Sequence, residues 1–206
     1  MPSSSDDDSD LEIERQVDRE IAEREARIRN FREIQPPEDE LRLFPDLGSL
    51  ETVERPIRVR FVNYCPFSID VFWMNARKEP TKYGRLGQKQ YLDIQTFEKH
   101  PWVARRTYDG CKVLLNKKEV YWPQSIIRNN QVRSVIVRQN ISITFKVQSL
   151  KDIAAYSLLR YPDIIRENYM YLPRELEEQL KTLSITKNQY ARYVCQIPPP
   201  FFRPSI

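Results

Sequence analysis

The chain has 206 residues, of which 40% are hydrophobic and 30% charged, so it can form one or two small domains beside a large exposed or disordered fraction. Its four glycines do not fit the spacing of a nucleotide-binding loop, its three cysteines form no Cys-x-x-Cys pair, and its single histidine excludes any metal site that needs two. We therefore expect no cofactor and no metal. The sequence contains neither an apolar signal segment nor the run of about 18 apolar residues that spans a membrane, so we expect an intracellular protein with buried thiols.

Charge is divided unevenly along the chain. Residues 1–54 carry a net charge of −10, and residues 55–206 carry +14. A basic body of this kind attracts an acidic peptide, a nucleic acid or an anionic lipid, mainly by raising the rate of encounter. The charge does not distinguish these partners.

The N-terminal 54 residues are predicted to form an acidic arm and linker, partly helical or disordered. The first ten residues contain four serines and four aspartates, a composition typical of disorder. A helical stripe follows, at Ile13, Val17, Ile21, Ala22 and Ile28. This segment is either a solvated charged helix or a coiled-coil or docking helix, and it should end before Pro36, with a linker over residues 36–54.

From Ile57 onward, hydrophobic residues recur with a period of two. Short runs of this kind, separated by turn residues, occupy Ile57–Phe61, Ile69–Met74, Leu92–Thr96, Lys112–Leu115, Glu119–Trp122, Ser134–Val137 and Ile141–Val147. The pattern predicts an antiparallel seven-stranded β-sandwich over residues 55–148.

After the sandwich the periodicity becomes helical. Ser149 and Asp152 have the spacing of a capping box at a helix start, and Pro162 should end that helix. Two further helices are predicted over Asp163–Tyr171 and Arg174–Leu183. The fold class is therefore mainly β plus α, with a small three-helix domain over residues 149–190 and a Pro-rich tail over residues 191–206. Because so small a helical domain cannot bury its own apolar face, it must pack on the sandwich or on a partner.

The single histidine, His100, lies in the aromatic segment Gln95-Thr-Phe-Glu-Lys-His-Pro-Trp102. An imidazole beside a hydroxyl and two aromatic rings favours hydrogen bonding in a dry pocket over catalysis. Taken alone, such a histidine is more often incidental.

Several motifs together resemble the von Hippel–Lindau tumour-suppressor family. They are Val59-Arg-Phe-Val-Asn63, Val71-Phe-Trp-Met-Asn75, Glu79-Pro-Thr-Lys-Tyr83, His100-x-Trp102 and Asp109-Gly-x-x-Val-Leu-Leu-Asn116. Their order and spacing agree with the family's β domain, and Ser149–Leu158 resembles its elongin-binding helix. The resemblance implies a substrate receptor that presents a prolyl-hydroxylated segment of hypoxia-inducible factor α to a cullin-based ubiquitin ligase, in the cytoplasm and nucleus.

The resemblance also implies the residues of a hydroxyproline pocket. Trp73, Tyr83 and Trp102 would form apolar walls around the ring, and Thr96 and His100 would hydrogen-bond its 4-hydroxyl. Flanking peptide contacts would come from Asn75, Gln95 and Phe97. The family usually has serine at the position of Thr96, and histidine and tyrosine at those of Gln95 and Phe97.

The helical domain would hold the ligase partners. The family's elongin C contacts correspond here to Ser149, Leu150, Ala154 and Leu158, with elongin B bound through elongin C. Alanine stands where the family has cysteine, which should weaken this interface without abolishing it. A cullin scaffold would contact Tyr161, Pro162 and Ile165, although Leu172–Leu176 fits the same pattern. The same helix could instead pack only on its own protein.

Two other classes of function remain open from the residues. The basic, aromatic-rich body is compatible with a nucleic-acid- or acidic-peptide-binding module without a ligase role, although no RNA- or DNA-binding signature occurs. No nucleophile and base are visible beside His100, which argues against catalysis. The resemblance implies a non-catalytic adaptor that binds no nucleic acid.

Overall fold

A computed structural model describes residues 12, 15–23, 25–26, 42–50, 56–125, 127–130, 133–136, 138–168 and 171–196. The chain divides into two compact units. One comprises Met1–Glu40 and Leu150–Thr182, and the other comprises Leu41–Ser149 and Leu183–Ile206.

The larger unit is built from β-strands. Within the described residues these are β1 (Ile57–Asn63), β2 (Ile69–Met74), β3 (Pro80–Leu86), β4 (Tyr91–Thr96), β5 (Trp102–Arg106), β6 (Leu114–Leu115), β7 (Ile127–Asn130), β8 (Arg133–Ile136) and β9 (Gln139–Thr144). One sheet has the order β4-β1-β9-β6, a second has the order β3-β2-β5, and β7 and β8 form a separate hairpin.

The strands differ from the predicted set in three ways. β3, β5 and β7 were not predicted, while Glu119–Trp122 contributes only an isolated bridge between Tyr121 and Trp102. The prediction of a purely antiparallel sandwich is wrong at one pair, because β1 and β9 run parallel. The two strands lie far apart in the chain, and no turn constrains their direction. The fold is therefore a β domain plus helices, with a finer topology that differs from the predicted one.

The main hydrophobic core draws on strands of both sheets. Alternate residues of β1 are buried, as the period of two predicted, and they include Val59 and Phe61. Ile69 and Val71 of β2 and Ile141 of β9 belong to the same cluster. Trp102 also belongs to this core, and Trp73 and Tyr83 pack against it.

The other face of the β3-β2-β5 sheet is also covered. Phe72, Met74 and Val103 form a second buried cluster with Tyr190. Residues 42–50, which composition assigns to a linker, pack against this second cluster through the side chains of Leu43, Phe44 and Leu47. Phe44 lies 5.0 Å from Phe72, ring centroid to ring centroid, in an edge-to-face arrangement.

A buried cluster of polar and charged side chains links Tyr190, near the C-terminal end of the chain, to this sheet. Asp70 is fully buried and accepts hydrogen bonds from Lys82 Nζ at 2.9 Å, Arg85 Nε at 2.9 Å and Tyr190 Oη at 2.6 Å. Tyr190 approaches the backbone closely at Gly110, which has φ +73°, and a Cβ added there would lie 2.6 Å from the Tyr190 Cβ. Glycine is therefore required at position 110 on both counts.

Three helices follow the strands within the described residues: α1 (Leu150–Leu158), α2 (Pro162–Glu167) and α3 (Arg174–Gln196). The starts of α1 and α3 agree with the predictions, but α2 ends earlier than predicted and α3 continues beyond Leu183. The extension of α3 has a physical reason, since Tyr190, Tyr193 and Val194 share one helical face and pack against the second cluster. Residues 191–196 are thus helical, and residues 197–206 lie outside the described residues.

Two smaller predictions meet mixed outcomes. Residues 15–23 are helical and exposed, with Val17 and Ile21 about half exposed, whereas Ile13 and Ile28 lie outside the described residues. Cys65 and Cys111 are buried as expected, but the prediction is wrong for Cys195, which is exposed on the last turn of α3.

Candidate functional site

The five side chains predicted to form the pocket come from four strands and one turn. Trp73 lies on β2, Tyr83 on β3 and Trp102 on β5, while Thr96 ends β4 and His100 occupies the turn between β4 and β5. We call these five residues the cage.

Strand register brings the three aromatic residues to one face. Trp73 and Trp102 are direct partners across the β2–β5 pair. Tyr83 is an extra residue in a bulge, because Val71 pairs with Gly84 while Phe72 pairs with Lys82. A bulge changes the direction of a side chain, and here it turns Tyr83 towards the tryptophans.

The rings of the cage are in contact with one another. Trp73 and His100 are stacked with centroids 5.4 Å apart and planes 26° apart. Tyr83 meets Trp102 edge to face at 4.8 Å, and it meets Trp73 edge to face at 6.3 Å. These separations are those of aromatic rings in direct contact, so the four rings form one continuous aromatic surface.

A buried hydrogen bond fixes the polar side of the cage. Trp102 Nε1 donates to Thr96 Oγ1 at 3.0 Å, and both residues are at most 2% exposed. Thr96 shares the buried face of β4 with Ile94, as the period of two along a strand requires. A hydroxyl that accepts from an indole can still donate its own proton, so Thr96 can serve a second polar group.

Burial also keeps the phenol of Tyr83 in its neutral form. Desolvation raises the pKa of Tyr83 above its ordinary value of 10.0. The phenol is therefore a hydrogen-bond donor throughout the physiological pH range.

The three predicted flanking residues occupy different surroundings. Phe97 adjoins the cage, with its ring 5.4 Å from that of His100. Gln95 is exposed on the opposite side of β4, where it lines a shallow cleft with Arg58 and Arg138. Asn75 uses its side chain in a local turn, since its Oδ1 accepts from the backbone N–H of Glu79 at 2.9 Å. The structure thus brings only Phe97 to the cage.

One contact of the cage was missed by the sequence predictions. Trp73 Nε1 donates to Ser49 Oγ at 2.6 Å. Ser49 lies in a segment whose composition resembles a linker, and no local pattern links it to a residue 24 positions away.

A second exposed surface lies on α1. Leu150 is 86% exposed, Ser149 and Ala154 are also exposed, and Leu158 is half-buried. Residues four apart lie on one side of a helix, so Leu150, Ala154 and Leu158 form a continuous apolar strip. Ala155, on a different side of the helix, is fully buried.

The residues predicted to contact a cullin lie at the start of α2. Tyr161 is 58% exposed and Pro162 is exposed in the first turn, whereas Ile165 is half-buried. Across the part of the chain that the structure describes, no cluster of metal-ligating side chains occurs and no helix has the length and hydrophobicity needed to cross a bilayer.

Comparisons with known proteins find two similarities. Residues 48–129 match the family model described as the VHL beta domain. The chain is also similar to Protein Vhl of Drosophila melanogaster, with 24% identity over 158 residues that cover 71% of this chain and 85% of the fly protein. The family-model match begins one residue before Ser49 and includes every cage residue.

Proposed function

We propose that this chain, which matches the VHL beta domain over residues 48–129 and resembles the fly Vhl protein, is the substrate-recognition subunit of a cullin-RING ubiquitin ligase, and that it binds a prolyl-hydroxylated segment of hypoxia-inducible factor α. The observation that supports this proposal most directly is the convergence of Trp73, Tyr83, Thr96, His100 and Trp102 in one cage.

In the proposed complex, the pyrrolidine ring of hydroxyproline lies between Trp73, Tyr83 and Trp102. Its 4-hydroxyl meets the Thr96 hydroxyl and the His100 imidazole, and the Tyr83 phenol donates to a peptide carbonyl. The Trp102–Thr96 hydrogen bond supports this orientation, since it holds the Thr96 oxygen at the apolar wall.

Selectivity for the hydroxylated ring follows from what plain proline leaves unsatisfied. An apolar pocket alone distinguishes poorly between two ligands that differ by one hydroxyl. When proline enters this cage, the polar groups of Thr96 and His100 lose a ligand partner, at a cost of about 1–3 kcal/mol each. The combined penalty corresponds to a preference on the order of a hundredfold or more.

The helical residues complete the proposed adaptor. The apolar strip of α1 binds elongin C, and elongin B joins through it. Leu150 in this strip is 86% exposed, which supports the assignment, because burying an exposed leucine against a partner is favourable. Tyr161, Pro162 and Ile165 contact the cullin. The chain itself performs no catalysis, and it promotes substrate ubiquitination and proteasomal degradation in the cytoplasm and nucleus.

A paired titration tests the proposal. The chain, co-expressed with elongins B and C, is titrated with a hydroxyprolyl peptide of hypoxia-inducible factor α and with the same peptide carrying plain proline. We expect about a hundredfold tighter binding of the hydroxylated peptide. Equal affinity for the two peptides would show that the cage does not read the hydroxyl.

A further inference from the structure

We infer that Ser49 is a positioning residue for the cage and that its hydroxyl holds the Trp73 indole ready to receive hydroxyproline. This inference rests on the proposed function. Residues 47–50, the clasp, form the link between the end of β2 and the turn that carries His100.

The clasp runs close against the end of β2. The backbone N–H of Ser49 donates to the carbonyls of Met74 at 3.1 Å and Asn75 at 3.2 Å. A Cβ at position 48 would lie 2.5 Å from the Asn75 carbonyl oxygen, so only glycine allows this approach. The backbone therefore brings the Ser49 side chain to the indole without help from the hydroxyl.

The direction of each hydrogen bond at Ser49 follows from chemistry. Its Oγ lies 2.6 Å from the Met74 carbonyl oxygen and 2.6 Å from Trp73 Nε1. A carbonyl can only accept and an indole N–H can only donate. The single hydroxyl proton thus goes to Met74, and an oxygen lone pair is directed at Trp73. This arrangement allows one orientation of the indole plane.

The same segment holds the other side of the cage. The Leu50 N–H donates to the Lys99 carbonyl at 3.3 Å, one residue before His100. Since His100 stacks on Trp73, the orientation of the indole also determines where the imidazole lies. Loss of the Ser49 hydroxyl should therefore disturb both a wall and a hydrogen-bonding group of the cage.

Preorganisation explains how Ser49 affects binding without touching the ligand. A half-buried indole that must be ordered when the peptide arrives consumes part of the binding free energy. We expect Ser49→Ala to weaken binding of the hydroxyprolyl peptide by roughly tenfold, the effect of losing one such hydrogen bond. Binding of the prolyl peptide should weaken less.

A spectroscopic measurement tests the clasp without a ligand. The chain has three tryptophans and hence three indole N–H signals in an ¹⁵N-labelled sample, and the Trp73 signal is assigned by its loss in Trp73→Phe. Ser49→Ala should move this signal and accelerate its exchange with solvent, while the Trp102 signal stays in place. Ser49→Thr, which retains a hydroxyl, should restore both the signal and the affinity.

Two control variants separate positioning from simple stability. Ser68→Ala changes an exposed serine between β1 and β2 and should leave every readout unchanged. Phe44→Ala removes a ring that packs on Phe72 but keeps the backbone hydrogen bonds that hold Ser49 at the end of β2, so it should lower the melting temperature without moving the Trp73 indole signal.

Each outcome supports or overturns the inference. An unchanged indole signal in Ser49→Ala overturns it, as does a loss of affinity that merely follows the loss of melting temperature across Ser49→Ala and Phe44→Ala. If the unmodified protein fails to distinguish the two peptides, the proposed function is wrong, and the indole signal still decides whether Ser49 orients Trp73.

Discussion

Replacing the buried carboxylate of Asp70 with an amide should be among the most destabilising single changes in the β unit. Asp70 is fully buried, and the side chain of its partner Lys82 is 6% exposed. In Asp70→Asn the ammonium of Lys82 stays buried without a compensating charge. The new NH2 group is a donor, and it faces the side chains that donate to the carboxylate in the unmodified protein. Removal of one partner of a buried ion pair typically costs about 3–5 kcal/mol. Against a usual stability of about 5–15 kcal/mol, that loss is large.

The expected loss is measurable by thermal and urea denaturation. For a chain of this size, 1 kcal/mol corresponds to about 2–4 °C in melting temperature, so Asp70→Asn should lower it by roughly 6–20 °C. Asp93→Asn is a matched control. Asp93 also pairs with an arginine, Arg60, at 2.6 Å, but its side chain is 42% exposed. Because water screens this surface pair, the control should unfold nearly as the unmodified protein does.

The pH dependence gives an independent check. Burial alone would raise the pKa of Asp70, but hydrogen bonds from Arg85, Tyr190 and Lys82 outweigh it and hold the pKa below the ordinary value of 3.8. A carboxyl whose pKa is depressed on folding contributes stability above its unfolded pKa and loses it as the pH falls through the folded value. The stability gap between the unmodified protein and Asp70→Asn should therefore be constant from about pH 7 to pH 5 and close only at strongly acidic pH. A gap below about 1 kcal/mol at neutral pH, or one that closes near pH 6, would refute this account of the cluster.

Three further changes probe the cage, the α1 strip and the C-terminal helix. His100→Ala should abolish the preference for the hydroxyprolyl peptide while the melting temperature changes little, because His100 is only half-buried; a retained preference in the paired titration would contradict its role. Leu150→Ala should leave peptide binding and folding unchanged but remove elongin C from a pull-down, and intact capture would exclude the strip as the contact. Gly110→Ala should cost at least about 1–3 kcal/mol in urea denaturation, since a Cβ at φ +73° overlaps Tyr190. Gly87→Ala is its control, because a Cβ there first meets the flexible side chain of Gln90 at 3.1 Å, and equal losses would show that the Tyr190 contact is not the cause.

Two of the strands that sequence periodicity missed, β3 and β5, have identifiable causes. β3 contains Pro80, Gly84 and a bulge at Tyr83, each of which breaks the alternation on which the prediction depends. In β5 the first four residues are all buried, because its sheet is covered on both faces, so no alternation is visible. Alternation was clearest in β1 and β4, where one face of the strand meets the core and the other is more exposed.

The members of the cage could be predicted more readily than Ser49, which supports them. Its five members carry a recognisable order and chemistry, and family resemblance identified them together. Ser49 has no such signature, since its role depends on a hydrogen bond across 24 residues. The flanking predictions at Asn75 and Gln95 came from the resemblance alone, and they did not anticipate that the Asn75 side chain serves its own turn.

By itself, the amino-acid sequence determined the properties that arise within a few residues. It specified that Thr96 points with Ile94 into the core, that a helix starts at Leu150, and that an aromatic segment surrounds the single histidine. These follow from backbone geometry, which sets the period of a strand or helix locally. Only the tertiary structure decided that β1 and β9 run parallel, that Tyr83 turns towards the tryptophans and that α3 extends to Gln196. Those features depend on which distant surfaces meet, and the free energy of burying them together is not written in any one segment.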